Sequence, residues 1–204
     1  MESLQRLRNT LEQFVPANSV SELTKQFKNI AQIVFNGRFV VNGEYEIYPI
    51  DIEFYFHDVE NEIITEPQMY HAKNDYPYFP IGSLFPHRSG IDMTFEREGK
   101  YRASFLIRGY TYKSLINDNE KPFTNKASGH LKEGEINKFK PQYLWEDLFG
   151  NATVFGKGLS VIWVDNDEFR EVNIQTSARV NVKLIKDEPI ERPWRFTNLD
   201  AKWQ

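Results

Sequence analysis

The sequence predicts a single α+β domain built on a curved, mainly antiparallel, open-barrel-like sheet with flanking helices. Three observations predict it. Two segments with apolar residues at helical spacing open the chain and end near residue 35. Strand-like segments separated by turn residues then follow, an order expected of α+β proteins and not of parallel α/β sheets. Aromatic residues make up 15% of the 204 residues, a load that disordered chains do not carry, so a packed core is expected.

Each element has a local reason. Leu4, Leu7, Leu11 and Phe14 mark a first helix that Pro16 stops, and residues 1–18 read as an N-terminal extension to a domain over 19–204. Ser19 followed by Glu22 forms a capping box for a second helix carrying Val20, Leu23, Phe27, Ile30 and Ala31 on one stripe. Arg38–Val41 and Glu44–Ile47 flank Asn42-Gly43, the dipeptide of a tight hairpin turn. Residues 50–57 alternate apolar and polar at first, which places Asp51 and Glu53 on one face of a strand, with Tyr55 the next position in that period; such a face reads either as solvated surface or as a site. Residues 61–82 read as a long irregular loop. Leu84–Phe95 and Tyr101–Tyr112 read as two strands joined near Glu98-Gly99-Lys100, and residues 113–140 as a polar, Lys- and Asn-rich surface excursion. Pro141–Phe149 reads as a short helix ended by Gly150, and Ser160–Asp165 and Ala178–Leu184 as strands.

Composition excludes several classes. With no Cys there are no disulfides and no Cys-bearing metal sites. No apolar run approaches the ~18 residues of a membrane span, and Met1–Arg6 lacks the apolar stretch of a secretory leader, so a soluble cytoplasmic protein without membrane contact is expected. The formal net charge is −4 but unevenly spread: residues 44–75 carry nine acids and one base, whereas residues 97–140 carry ten bases and five acids. That pattern reads either as an acid-lined site beside an anion-binding face or as chance clustering on a solvated surface. Phosphate-loop, dinucleotide-binding, zinc-protease and nucleophile-elbow motifs are absent. His57, His71, His87 and His130 with Asp51, Glu53, Asp58 and Asp92 could make a metal site but have no spacing that specifies one, so neither metal nor cofactor is expected.

At residues 50–55 the chain resembles the alkyladenine (3-methyladenine, or methylpurine) DNA glycosylase family. Ile50-Asp51-Ile52-Glu53-Phe54-Tyr55 is similar to that family's catalytic strand, and Ile81-Gly82-Ser83-Leu84-Phe85 to a following Pro-Gly-Thr-Leu-Tyr-like segment. Ala103–Arg108, Pro141–Leu144, Ala178–Val182 and Pro193–Phe196 resemble later family motifs in the same order. The resemblance covers about residues 20–198. It implies a base-excision protein in which Glu53 activates water, Asp51 supports it, and Tyr55, His87 and His71 contact a flipped base. It further implies that Arg88 fills the duplex gap and that Arg108, Arg179, Arg195, Lys126 and Lys132 approach the phosphates of double-stranded DNA, bound by a monomer. Ile50–Phe56 contains no Lys, so a Schiff-base route is not expected from this strand. Two other readings of the same residues are an inactive module binding nucleic acid or a small ligand, and a metal-dependent hydrolase using the His and Asp side chains.

Overall fold

The computed structural model describes residues 5–66, 69, 76–115, 141–149, 155, 158–179 and 192–201. It is mixed α+β, with an antiparallel sheet that curls into a half-barrel and few helices. Helices α1 (Arg6–Glu12) and α2 (Val20–Val34) come first. Strands β1 (Gly37–Val41), β2 (Tyr45–Asp58), β3 (Leu84–His87), β4 (Gly90–Thr94) and β5 (Tyr101–Ser114) follow. Helix α3 (Gln142–Phe149) and strands β6 (Val161–Asp165), β7 (Ile174–Ser177) and β8 (Arg195–Asn198) complete the described elements. The sheet order is β3-β4-β5-β2-β1-β6, and β8 pairs with both β2 and β7.

Local chemistry explains the first elements. The Ser19 hydroxyl accepts the Glu22 backbone N–H at 3.2 Å and so caps α2, while the Glu22 carboxylate takes the Ser19 hydroxyl at 3.1 Å and not the backbone N–H that a full capping box would use. Asn42 and Gly43 both take positive φ (54° and 71°), and the Glu44 N–H donates to Val41 O at 2.9 Å, so the Asn-Gly turn forms, inside a three-residue loop between the paired Val41 and Tyr45. Leu7 and Leu11 of α1, with Phe14, lie in the same hydrophobic core as α2 and the sheet. The N-terminal segment is therefore part of that core from Leu7 onward. Phe27 stacks on Phe54 at 4.5 Å and meets Trp194 edge-on at 5.1 Å, which ties α2, β2 and the C-terminal segment together.

The central feature is a change of phase along β2. Tyr45 and Ile47 are core residues, and so are Ile52, Phe54 and Phe56. Strict alternation cannot bury both sets on one face. The register shifts between Pro49 and Ile52, and this irregularity moves the apolar set from odd to even positions. Pro49 suits the break, because it has no N–H to give the ladder. The partner strand β5 changes phase at the same level: Tyr101, Ala103, Phe105 and Ile107 are core residues, and then Tyr110. Asp51, Glu53 and Tyr55 are thereby turned to the face opposite the aromatic core.

Two sequence expectations need correction. Leu84–Phe95 is not one strand but the β3–β4 hairpin, with His87 paired to Gly90 across Arg88-Ser89. The last hairpin uses Ile174–Ser177 and Arg195–Asn198; Ala178 and Arg179 lie outside any strand, and residues 180–184 are outside the described residues. Among the described residues no helix is long and apolar enough to cross a membrane.

Gly90 fixes how the hairpin meets α3. Its φ is +145°, and an added Cβ would stand 2.7 Å from Pro141 Cβ and 2.8 Å from Leu106 Cδ1. Gly90→Ala is expected to destabilise the protein by about 1–3 kcal/mol through strain and overpacking. A chemical-denaturation midpoint identical to wild type would refute this.

Candidate functional site

The face turned away from the aromatic core is polar yet buried. One row of cross-strand partners runs through Phe85, Asp92, Leu106, Glu53, Arg195 and Ser177. Glu53 sits near its middle with 0% exposure. Its Oε2 accepts the Arg108 guanidinium at 3.1 Å and the Tyr55 hydroxyl at 3.0 Å. Arg108 reaches it because the phase change in β5 falls beside this residue. Burial, followed by the Glu53 charge, pushes the Tyr55 phenol well above its ordinary value, so Tyr55 stays a proton donor to the carboxylate.

Asp51, the other carboxylate of the strand, is committed to β8. Arg195 donates to both of its oxygens, at 3.1 Å from Nε and 2.6 Å from Nη2, and the Thr197 hydroxyl adds a third donor at 3.2 Å. The Asp51 hydrogen bonds raise the Arg195 guanidinium above its usual value. Asp51 therefore acts on its neighbours by fixing Arg195 and the C-terminal strand.

On the other side of Glu53, Asp92 accepts from the Ser104 hydroxyl at 2.8 Å and pairs with His87 Nε2 at 2.9 Å. With a carboxylate partner Nε2 carries the proton, and Nδ1 accepts the Ser89 backbone N–H at 3.2 Å. The imidazole is thus fixed in plane, and Phe85 stacks beside it at 6.0 Å. Two strand spacings, roughly 10 Å, separate Asp92 from Glu53.

A second ion-pair cluster closes the open edge of β2. Phe54 N–H donates to Trp194 O, Phe56 N–H to Glu66 Oε2 at 3.2 Å, and Asp58 N–H to Ile64 O. The Glu66 carboxylate thus takes a ladder position that no strand among the described residues fills. It pairs with Arg179 at 2.5 Å and lies 3.7 Å from Arg192, and these two guanidiniums flank the Trp194 ring. Arg179 also lies over the Tyr55 ring at 4.9 Å. Burial pushes the Glu66 carboxyl up, against the pull of both guanidiniums.

The sequence-predicted residues thus divide. Glu53, Asp51, Tyr55, Arg108, Arg179 and Arg195 converge on one buried polar layer, with His87 at its margin. Arg108, Arg179 and Arg195 each hold a carboxylate there. Arg88 is exposed in the β3–β4 turn. His71, Lys126 and Lys132 lie outside the described residues, as does His130. Among the described residues no three His, Asp or Glu side chains are grouped to hold a metal ion.

Comparison with protein-family models, with curated proteins and with solved structures gives no match. The site is therefore read from its own geometry.

Sequence reasoning missed Glu66, Ser104 and Arg192, and named Asp92 only among metal-ligand candidates beside the histidines. Glu66 lies in a segment that reads as loop, and Asp92 in what reads as the middle of one long strand. Period-two spacing of Asp92 and Thr94 against the core residues Ile91, Met93 and Phe95 was the available signal for Asp92.

His57 gives this layer a pH dependence. Its Nδ1 accepts the Glu66 backbone N–H at 2.8 Å, which requires the neutral ring, and burial lowers its pKa below the ordinary 6.5. Its neutral form is favoured by folding, so its stabilisation is present above about pH 6.5 and is lost as pH falls through the lowered native value. His57→Asn keeps an acceptor that does not titrate. The difference in melting temperature between wild type and this variant is expected to shift against wild type between pH 7.5 and 5 (~2–4 °C for a ΔΔG of about 1 kcal/mol). A constant difference would remove His57 from this role.

Proposed function

We propose that the protein is a monofunctional N-glycosyl hydrolase acting on a modified base in nucleic acid, with water activated at Glu53 as the nucleophile. The observation that supports this reading is the Glu53 carboxylate, buried at the centre of the polar row and oriented by Arg108 and Tyr55 on one oxygen. Cleavage of an N-glycosidic bond passes through a state with positive charge on the sugar. A fixed carboxylate in a low-dielectric layer stabilises that charge and takes the proton of the attacking water. Tyr55 and His87 on the same face supply ring surfaces for an unstacked base. Asp51 holds Arg195 in a bidentate pair and so fixes that guanidinium beside Glu53, its cross-strand partner. Double-stranded DNA, bound by a monomer, is the substrate of this reading, and Arg88 is the exposed side chain available to the duplex gap.

A second reading is a binding module without turnover. It is favoured by one observation, the 0% exposure of Glu53. Incubation with randomly alkylated and deaminated duplexes, followed by detection of abasic sites, separates the two. Abasic sites without strand breaks, and without an adduct trapped by borohydride, are the result expected of the hydrolase. Binding with no abasic site from any lesion selects the module.

A further inference from the structure

Beside the polar layer lies an open groove of about 440 Å³, lined by Pro86, His87, Gln142 and Trp145. Its volume falls within the ~300–1,000 Å³ of small-molecule sites. Two rigid elements form it. In α3, Leu144 and Leu148 are core residues, so Gln142 and Trp145, three apart, take the helix's other side. Trp145 is 45% exposed although it is the largest side chain of that helix, and Phe149 braces its ring at 6.0 Å. From the hairpin come the Pro86 ring and the His87 imidazole, the latter locked by Asp92, Ser89 and Phe85. Gly90 sets the distance between the two walls, because Pro141 packs where its side chain would be.

This lining has a chemical meaning. An indole on one wall, and an imidazole beside the apolar Pro86 ring on the other, suit a planar heteroaromatic ring. The Gln142 amide offers both a donor and an acceptor to the edge of that ring. Arg88, the residue after His87, is exposed and supplies the cation for an attached phosphate. We propose that this groove binds a nucleotide, with its base against Trp145 and its phosphate toward Arg88. The groove stands beside Glu53 and not at it, since His87 is held by Asp92, two strand spacings away. The proposal needs no bond cleavage and does not depend on the reaction assigned to Glu53. A free mononucleotide and one unit of a single strand present the same base and phosphate.

Calorimetric titration of the full chain with AMP, adenosine and short oligo-dT, a readout that survives replacement of Trp145, tests it. Saturable binding is expected with AMP or with oligo-dT. Trp145→Ala is expected to weaken it roughly 10–100-fold, the effect of removing one stacking platform, while Trp145→Phe keeps most of the affinity and shows that the helix is intact. Arg88→Ala is expected to bring AMP down to the affinity of adenosine. Binding of AMP itself identifies a free-nucleotide site; binding of oligo-dT alone, still dependent on Trp145, identifies a strand-binding groove. No binding of either probe, or binding indifferent to Trp145→Ala, overturns the proposal. Glu53→Gln is expected to bind AMP as wild type does. A protein inert toward every damaged duplex that still binds AMP through Trp145 loses the hydrolase reading and keeps the groove.

Discussion

Glu53→Gln is expected to abolish most turnover, by roughly 10²–10⁴-fold, while leaving substrate binding nearly unchanged. The amide is isosteric, and its oxygen can still accept from Arg108 and Tyr55, which both act on Oε2. What it loses is the negative charge that stabilises a cationic sugar and the basicity that takes a proton from water. The change also leaves Arg108 facing a neutral partner in a buried layer, so stability is a second readout of the same variant. Single-turnover excision on a lesion-bearing duplex, paired with equilibrium binding to that duplex, separates the two effects. Excision at the wild-type rate would remove Glu53 from the chemistry.

The second large effect is structural. Glu66→Ala is expected to cost about 3–5 kcal/mol of folding stability, because it leaves two buried guanidiniums without their shared carboxylate. Arg179 and Glu66 side chains are 7% and 6% exposed, so water does not replace the lost partner. The Phe56 N–H loses its acceptor as well. Glu66→Gln keeps that acceptor and is expected to cost less. Urea denaturation of both variants measures the difference, and equal losses would mean that the charge contributes nothing beyond the hydrogen bond.

Much of the first half of the fold was legible because its signals are local. The Ser19–Glu22 cap, the Asn42-Gly43 turn and the period-two run after Ile50 each depend on neighbours within a few residues. The shared face of Asp51, Glu53 and Tyr55 follows from that run alone. Their partners were not legible in the same way. Arg108 lies 55 residues from Glu53, and Arg195 lies 144 from Asp51. No local pattern announces such pairings; they exist because β5 and β8 flank β2. The turn at Arg88-Ser89 escaped for another reason: Ser89 is its one usual turn former, Arg88 is not one, and Gly90, just past the turn, carries the positive φ. Glu66 escaped because a carboxylate standing in for a strand leaves no periodic trace.

The paired phase changes in β2 and β5 have a consequence for protein engineering. The residues Ile50–Tyr55 look like a portable cassette, but their orientation is set by the unpaired Ile50 after Pro49 and by a matching irregularity on the neighbouring strand. Transplanted into a regular sheet in register with Tyr45 and Ile47, the same six residues would aim both carboxylates into the hydrophobic interior and the phenylalanine at solvent. Deleting Ile50 removes the extra residue of β2 and leaves the unpaired Arg108 of β5 without its counterpart. The smallest unit that can be moved, recombined or inherited intact is therefore the β2–β5 pair, with both irregularities kept opposite each other.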